Sequence, residues 1–131
     1  MSIERPRTLP VRDFLEMGVV QAVVQISRSP RPEYRVLFRL RLLNASGSSV
    51  RLVGRKWTLR DRAGNTRIIE AAQVFNQQPV LIPGAVFACD GMQTFETAPA
   101  GMEVRFFGLD QRGIPFITPS LLFPRSTFSR R

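Results

Sequence analysis

The sequence of 131 residues contains no histidine and only one cysteine, Cys89. Without histidine, the chain lacks the side chain that most often acts as a general base near neutral pH, and no imidazole can activate a serine or cysteine nucleophile. A single cysteine excludes an internal disulfide and agrees with a reducing compartment. We therefore expect no enzymatic activity, and we expect Cys89 to pack as a small hydrophobic residue.

The lack of histidine also bears on metal binding. Cobalt and its neighbours prefer imidazole and thiolate ligands, whereas magnesium prefers clustered carboxylates. The ten acidic residues are scattered along the chain, and the net charge of +9 repels cations. We expect no direct metal site and no cofactor.

Long apolar runs are missing as well. No run approaches the roughly 18 residues that a membrane-spanning helix needs, and Arg5, Arg7 and Arg12 interrupt the segment where a signal peptide would lie. We expect a cytoplasmic protein that does not associate with membranes. The hydrophobic share of 44% and the charged share of 22% are those of one globular domain.

Short segments with strand periodicity are what the chain does contain. In residues 34–43, apolar side chains alternate with arginines, which is typical of a half-buried strand. Residues 19–27 form a second strand candidate, with one face made by Val20, Ala22, Val24 and Ile26. Eight such strands, with turns every 8 to 12 residues, predict an all-β sandwich or barrel.

The turns suggest how these strands pair. The composition of residues 44–49 favours a hairpin between residues 34–43 and 50–60, and residues 61–65 favour a second hairpin. Trp57 is in phase with Val53, Arg55 and Leu59, so we expect its ring to fill the core. Stacking of Trp57 on a ligand is the less favoured interpretation.

The two ends of the chain differ from this middle. Residues 1–18 are interpreted as an N-terminal arm in which residues 11–17 fit one or two helical turns closed by Gly18. Residues 19–124 are the predicted sandwich, and residues 125–131 are a basic C-terminal tail. The arm could equally be an interaction segment.

Arginine dominates the positive charge, since Lys56 is the only lysine among the 19 basic residues. Arginine suits bidentate contacts with phosphate, so a continuous basic face would indicate binding of nucleic acid or of a phosphate ligand. The candidates for such a face are Arg35, Arg39, Arg41, Arg51 and Arg55, continued by Arg60, Arg62 and Arg67. A solvated outer face is the preferred interpretation of the alternating arginines.

A series of residues carries a resemblance to a known family. In chain order they are Trp57, Asp61, Gly64, Gln78-Pro79, Leu81, Pro83-Gly84, Phe87 and Gly91. From about residue 19 to residue 124 the chain resembles the ApaG family. The resemblance implies a fibronectin type III-like or immunoglobulin-like β-sandwich of about seven or eight antiparallel strands.

The same resemblance bears on function. Bacterial members of the family are associated with cobalt resistance and magnesium efflux, and eukaryotic ApaG domains occur in F-box and polymerase-interacting proteins. It therefore implies recognition of a protein partner, here unidentified, with an indirect role in cobalt and magnesium homeostasis. Strand addition at an exposed sheet edge is one route to such binding, although the sequence does not identify the edge strand.

One loop departs from the family pattern. A Gly-x-Gly-x-x-Gly motif of the family is replaced here by Ala71, Gln73 and Asn76, which weakens any phosphate-binding role because glycines permit close backbone approach. Val74 and Phe75 lie between these positions. We predict a partner-binding loop at Ala71, Gln73, Val74, Phe75 and Asn76. Phe75 either anchors a partner or packs over the end of the sandwich.

Overall fold

The computed structural model describes residues 9–28, 30–72 and 77–129. In this part of the chain, nine strands are followed by a short 3-10 helix. They are β1 (Leu15–Ser27), β2 (Glu33–Asn44), β3 (Val50–Asp61), β4 (Thr66–Ala71), β5 (Val80–Leu81), β6 (Val86–Phe95), β7 (Pro99–Leu109), β8 (Pro115–Ile117), β9 (Leu121–Leu122) and the helix Arg125–Phe128.

The strands form two sheets. The smaller sheet has the order β1-β2-β6, and the larger has the order β4-β3-β7-β8, with β5 added to β3 and β9 to β7. All pairs of these strands are antiparallel. The all-β sandwich predicted from alternation and turn composition is confirmed. No helix in the described ranges is long and apolar enough to cross a membrane.

The core lies between the two sheets. Trp57 of β3 is only 1% exposed, and its ring centroid lies 5.0 Å from that of Phe38 on β2. The ring of Phe123, directly after β9, lies 5.9 Å from Trp57 and 5.4 Å from Phe38. The prediction that Trp57 fills the core is therefore confirmed, since its buried ring packs against Phe38 of the opposite sheet and against Phe123.

The predicted hairpin between β2 and β3 is wrong. β2 pairs with β1 and β6, whereas β3 pairs with β4, β5 and β7, so the two strands face each other across the core. Both strands have one apolar face, and this arrangement buries both faces at once. Residues 44–49 therefore connect one sheet to the other.

Two β-bulges also change the predicted faces. In β3 the register shifts between Leu52 and Gly54. Contrary to the prediction, Val53 therefore does not share the buried face of Trp57. In β1 the register shifts between Val19 and Gln21, and Val20 is 59% exposed. An inserted residue reverses the phase of the alternation beyond it.

At both ends of the chain, residues that were predicted to form an arm or a tail pack against the sandwich. Residues 11–17 do not form helical turns, since β1 begins at Leu15 and Arg12 N–H donates to Ile117 O of β8 at 2.9 Å. At the other end, Phe128 of the 3-10 helix is buried. The tail predicted from residue 125 thus begins with a segment packed on the core.

The second predicted hairpin, between β3 and β4, is confirmed by their antiparallel pairing. Asp61 Oδ1 accepts a hydrogen bond from Asn65 N–H at 2.9 Å, and Gly64 has a φ of 90°. This backbone bond, with a hydrogen bond from the Thr97 hydroxyl, lowers the pKa of the Asp61 carboxyl. Asp61 and Gly64 therefore have the roles that the turn composition indicates.

Candidate functional site

The predicted partner-binding loop falls largely outside the described residues. Gln73, Val74, Phe75 and Asn76 lie in the gap, so their role stays a prediction. Ala71 is the last residue of β4, and its carbonyl oxygen lies 2.7 Å from the position that a Cβ on Gly54 would occupy. Glycine at position 54 therefore allows β4 to pass close to β3.

The arginines of the predicted basic face are divided between the two sheets. Arg35, Arg39 and Arg41 alternate with the buried side chains of β2 and thus lie together on the outer face of the smaller sheet. Arg51 and Arg55 belong to β3 in the larger sheet. Arg55 has the phase of Trp57 and is partly buried. The structure therefore brings three of the five together and separates them from the other two.

Carboxylates compensate part of this positive charge. Arg39 Nε and Nη2 donate to both oxygens of Asp90, at 2.7 and 3.1 Å. This contact raises the pKa of the Arg39 guanidinium and lowers that of the Asp90 carboxyl. Arg35 forms an ion pair with Glu33 at 2.7 Å. The outer face of the smaller sheet therefore has interspersed charges of both signs.

The sequence does not identify the edge strands; in the structure β1 and β6 end the smaller sheet, and β4 and β8 end the larger one. Backbone groups of successive strand residues point to opposite sides. Asn44 N–H donates toward β6, to Ala85 O, whereas Ala45 N–H donates toward the β1 side, to Phe14 O. Leu37 is an even number of positions from Ala45, so its backbone groups also point toward β1. There Leu37 pairs with Val23.

It follows that the residues on either side of Val23 have the opposite orientation. Ala22, Val24 and Ile26 direct their N–H and C=O groups away from β2, toward the open side of the sheet. This is an edge of three donor and acceptor sites onto which another strand could be added.

A groove of about 610 Å³ runs along this edge. It is lined by Ala22, Val24 and Ile26 of β1 and by the 3-10 helix, with Arg28 and Arg62 among the other lining residues. We call it the β1 groove. The backbone groups that point away from the sheet are therefore placed beside a cavity with a second wall.

That second wall is held in place. Arg62 Nη2 donates a hydrogen bond to Phe128 O, and Arg62 N–H donates to Ala98 O at 2.8 Å. Because Phe128 is itself buried, the helix is attached both to the core and to the β3–β4 turn. The β1 groove is thus formed by packed parts of the molecule.

The opposite edge of the smaller sheet, β6, is different. Arg67 of β4 reaches across to it, and its Nη2 donates to Thr94 O at 2.5 Å. A side chain from the other sheet therefore occupies a backbone acceptor near the end of β6. No equivalent bond to Ala22, Val24 or Ile26 is found among the described residues.

The sequence does contain a signal for the β1 edge. Apolar residues occupy both faces of this strand: Val20 and Val23, which do not share the inward phase of Ala22 and Val24, are 59% and 44% exposed. A strand buried on one face only would alternate strictly with polar residues. The run of aliphatic residues in β1 therefore marks a strand with apolar side chains on its outer face.

Other chemically reactive groups contribute little to a site. Cys89 is buried as predicted, and burial, followed by the negative charge of Asp90, raises the pKa of its thiol to about 12. Over residues 9–28, 30–72 and 77–129, no three cysteine or acidic side chains are grouped closely enough to hold a metal ion. The β1 groove therefore stands out by its backbone groups and shape rather than by reactive side chains.

Comparisons with known proteins agree with this architecture. An X-ray structure of a structural genomics target has a TM-score of 0.77 and 18% identity, and covers 84% of this chain and 84% of its own. A crystal structure of a Bordetella pertussis protein has a TM-score of 0.69 and 21% identity, and covers 87% and 94%. At these identities the likeness concerns the fold alone.

Sequence comparisons are more specific. Protein ApaG of Acidovorax sp. (strain JS42) is 29% identical over 96 residues, which cover 73% of this chain and 70% of the relative. Protein ApaG of Xanthomonas axonopodis pv. citri (strain 306) is 30% identical over 90 residues, with coverage of 69% and 71%. The family model described as ApaG domain matches residues 25–107, from the end of β1 into β7. Since this match spans more than half of the chain, the protein belongs to the ApaG family.

Proposed function

We propose that this protein is a non-enzymatic recognition module that binds a partner protein by strand addition to β1. The observation that carries the proposal is the outward direction of the backbone groups of Ala22, Val24 and Ile26 within the β1 groove. An extended segment of a partner would satisfy these groups as a fourth strand of the smaller sheet.

The sequence of β1 supports this interpretation. Proteins usually protect exposed edges with charged side chains, prolines or very short strands. β1 has 13 residues, and beyond its bulge at Val20 it contains neither a charged residue nor a proline. An added strand would place its own side chains beside these exposed aliphatic ones. This edge therefore combines open backbone groups with an apolar surface, as a docking strand requires.

Nucleic-acid binding is the weaker alternative. A continuous basic stripe would favour it, but the arginines are divided between two sheets, and Arg39 and Arg60 pair with carboxylates at 2.7 and 2.9 Å. Interspersed charges of this kind are ordinary for a solvated surface. Any influence on cobalt or magnesium homeostasis would then act through the protein partner.

The proposal is tested by affinity purification from the native cell with a matched pair of variants. Ile26→Pro removes an N–H that points away from β2, so the ladder between β1 and β2 keeps its hydrogen bonds. Ile26→Ala removes most of the same side chain and keeps the N–H. We expect wild type and Ile26→Ala to recover the same protein partner and Ile26→Pro to lose it.

The purification is repeated with nuclease. Recovery that depends on nucleic acid, or equal recovery by Ile26→Pro and wild type, would contradict strand addition. Circular dichroism and thermal unfolding of both variants establish that each retains the sandwich.

A further inference from the structure

The β1 groove has an uneven distribution of charge. Among the residues that the structure describes, its charged lining residues are Arg28 and Arg62, and no carboxylate lines it. Within the described ranges, neither arginine forms an ion pair, whereas Arg35, Arg39 and Arg60 each do. The groove thus has positive charge that the described carboxylates do not compensate.

Both arginines lie at the same end of the sandwich. Arg28 directly follows the last residue of β1. β6 ends at Phe95 opposite Tyr34, next to the end of β1, and β7 then begins at Pro99 opposite Asp61. Arg62, which follows Asp61, is therefore near Arg28, at the C-terminal end of the β1 edge.

The rest of the groove is uncharged among the described residues. Apart from the two arginines, it is lined by aliphatic side chains of β1, namely Ala22, Val23, Val24 and Ile26, and by Tyr34, Ala98, Pro99 and residues 126–129. A ligand that fits this surface needs negative charge at one end only, followed by uncharged residues suited to an extended conformation. Arginine binds carboxylates with directed, charge-assisted hydrogen bonds.

The direction of the added strand decides which end is acidic. All pairs between named strands in this protein are antiparallel, and antiparallel pairing is slightly more stable per residue than parallel pairing. A segment added antiparallel to β1 has its N-terminal end beside Arg28. Resting on the proposed function, we infer that the partner segment carries aspartate or glutamate at its N-terminal end, followed by uncharged β-forming residues.

The test uses two synthetic peptides, Asp-Glu-Val-Thr-Val-Thr-Val and Lys-Lys-Val-Thr-Val-Thr-Val, each acetylated, amidated and labelled with fluorescein. Binding to the full chain is measured by fluorescence anisotropy at low and high salt. The acidic peptide would form two exposed ion pairs, with Arg28 and Arg62. We therefore expect it to bind about tenfold more tightly than the Lys-Lys peptide at low salt. Salt should shrink this ratio, because surface charges are screened.

Two charge reversals separate the groove from the overall charge of the protein. Arg28→Glu should abolish the preference for the acidic peptide, whereas Arg41→Glu, on the outer face of β2, changes the net charge equally and should keep it. Equal losses in both variants would show general electrostatic attraction and overturn the inference.

The outcomes also distinguish this inference from the proposed function. If both peptides bind equally and Ile26→Pro weakens both, strand addition stands and the acidic preference is refuted. If neither peptide binds, or Ile26→Pro changes nothing, docking at β1 is itself refuted. Binding that follows the Arg28 charge and also requires the Ile26 N–H supports both.

Discussion

Replacement of Asn44 is expected to destabilise the connection between the two sheets. Its side chain is fully buried, and Nδ2 donates to Ser48 O and to Leu81 O, both at 2.8 Å. Oδ1 accepts from Ser46 N–H at 3.0 Å and from the Ser46 hydroxyl at 2.7 Å. One amide thus holds together the loop after β2 and the end of β5.

The loss of stability in Asn44→Ala depends on which of the former partner groups water can reach. In Asn44→Ala, the bond to Leu81 O is lost in the buried interior, which costs about 1–3 kcal/mol for an unsatisfied group. The bonds to Ser48 O and Ser46 are only part-buried, so together they contribute about 1 kcal/mol. We expect a loss of about 2–4 kcal/mol in the free energy of unfolding.

Asn44→Asp provides a sharper test with nearly the same shape. It keeps the acceptor for Ser46 but replaces the donor by an oxygen that faces two carbonyl oxygens. Ionisation there is unfavourable, so the folded-state pKa of the new carboxyl lies above its unfolded value. The destabilisation relative to wild type should therefore shrink as the pH falls from about 7 to about 4, where the protonated acid can donate.

Urea unfolding followed by tryptophan fluorescence measures these changes, because Trp57 is the only tryptophan and is buried in the core. Asn44→Ala has no titratable group and serves as the control for pH dependence. A loss below about 0.5 kcal/mol in Asn44→Ala, or the same pH dependence in both variants, would refute the assigned role of Asn44.

Two further predictions concern the packing of the sandwich. A Cβ on Gly108 would lie 2.4 Å from Phe116 Cζ, so Gly108→Ala should cost about 1–3 kcal/mol in urea unfolding. Gly101→Ala, with nothing within 4 Å, should change stability much less, and equal effects would contradict the packing argument. The Cys89 thiol, with a pKa of about 12, should resist alkylation while the protein is folded. Because this pKa exceeds the unfolded value, stability should fall as the pH rises above about 8.5, and Cys89→Ala should remove that component.

The faces of single strands could be predicted because their signal is local. Alternation in β2 depends only on which neighbours are apolar, and the buried positions Val36, Phe38, Leu40 and Leu42 follow it. Which strands pair with each other does not follow from such local signals. A hairpin and a connection between sheets both bury one face of each strand, so the alternation in β2 and β3 is compatible with either.

A long-range contact decides between these two arrangements. The composition around Asn44 indicates a turn residue, but its side chain donates a hydrogen bond to Leu81 O, 37 positions later in the chain. The same limit applies to the arginines, since Arg39 is paired with Asp90, 51 positions away. Such pairs arise from the assembled sheets, and no spacing within either segment predicts them.

The bulge at Val20 determines what a strand added to β1 would meet. Met17 and Val19 before it, and Ala22 and Val24 after it, all pack against the core, so the inserted residue keeps both halves of β1 in phase with the interior. After the bulge, the residues with inward side chains are those whose backbone groups point to the open edge. Ligand residues that bond to them would direct their side chains to the same side of the sheet, toward the 3-10 helix. Alternate positions of the partner segment would therefore be selected by the β1 groove, while the positions between them would face solvent beside Val23.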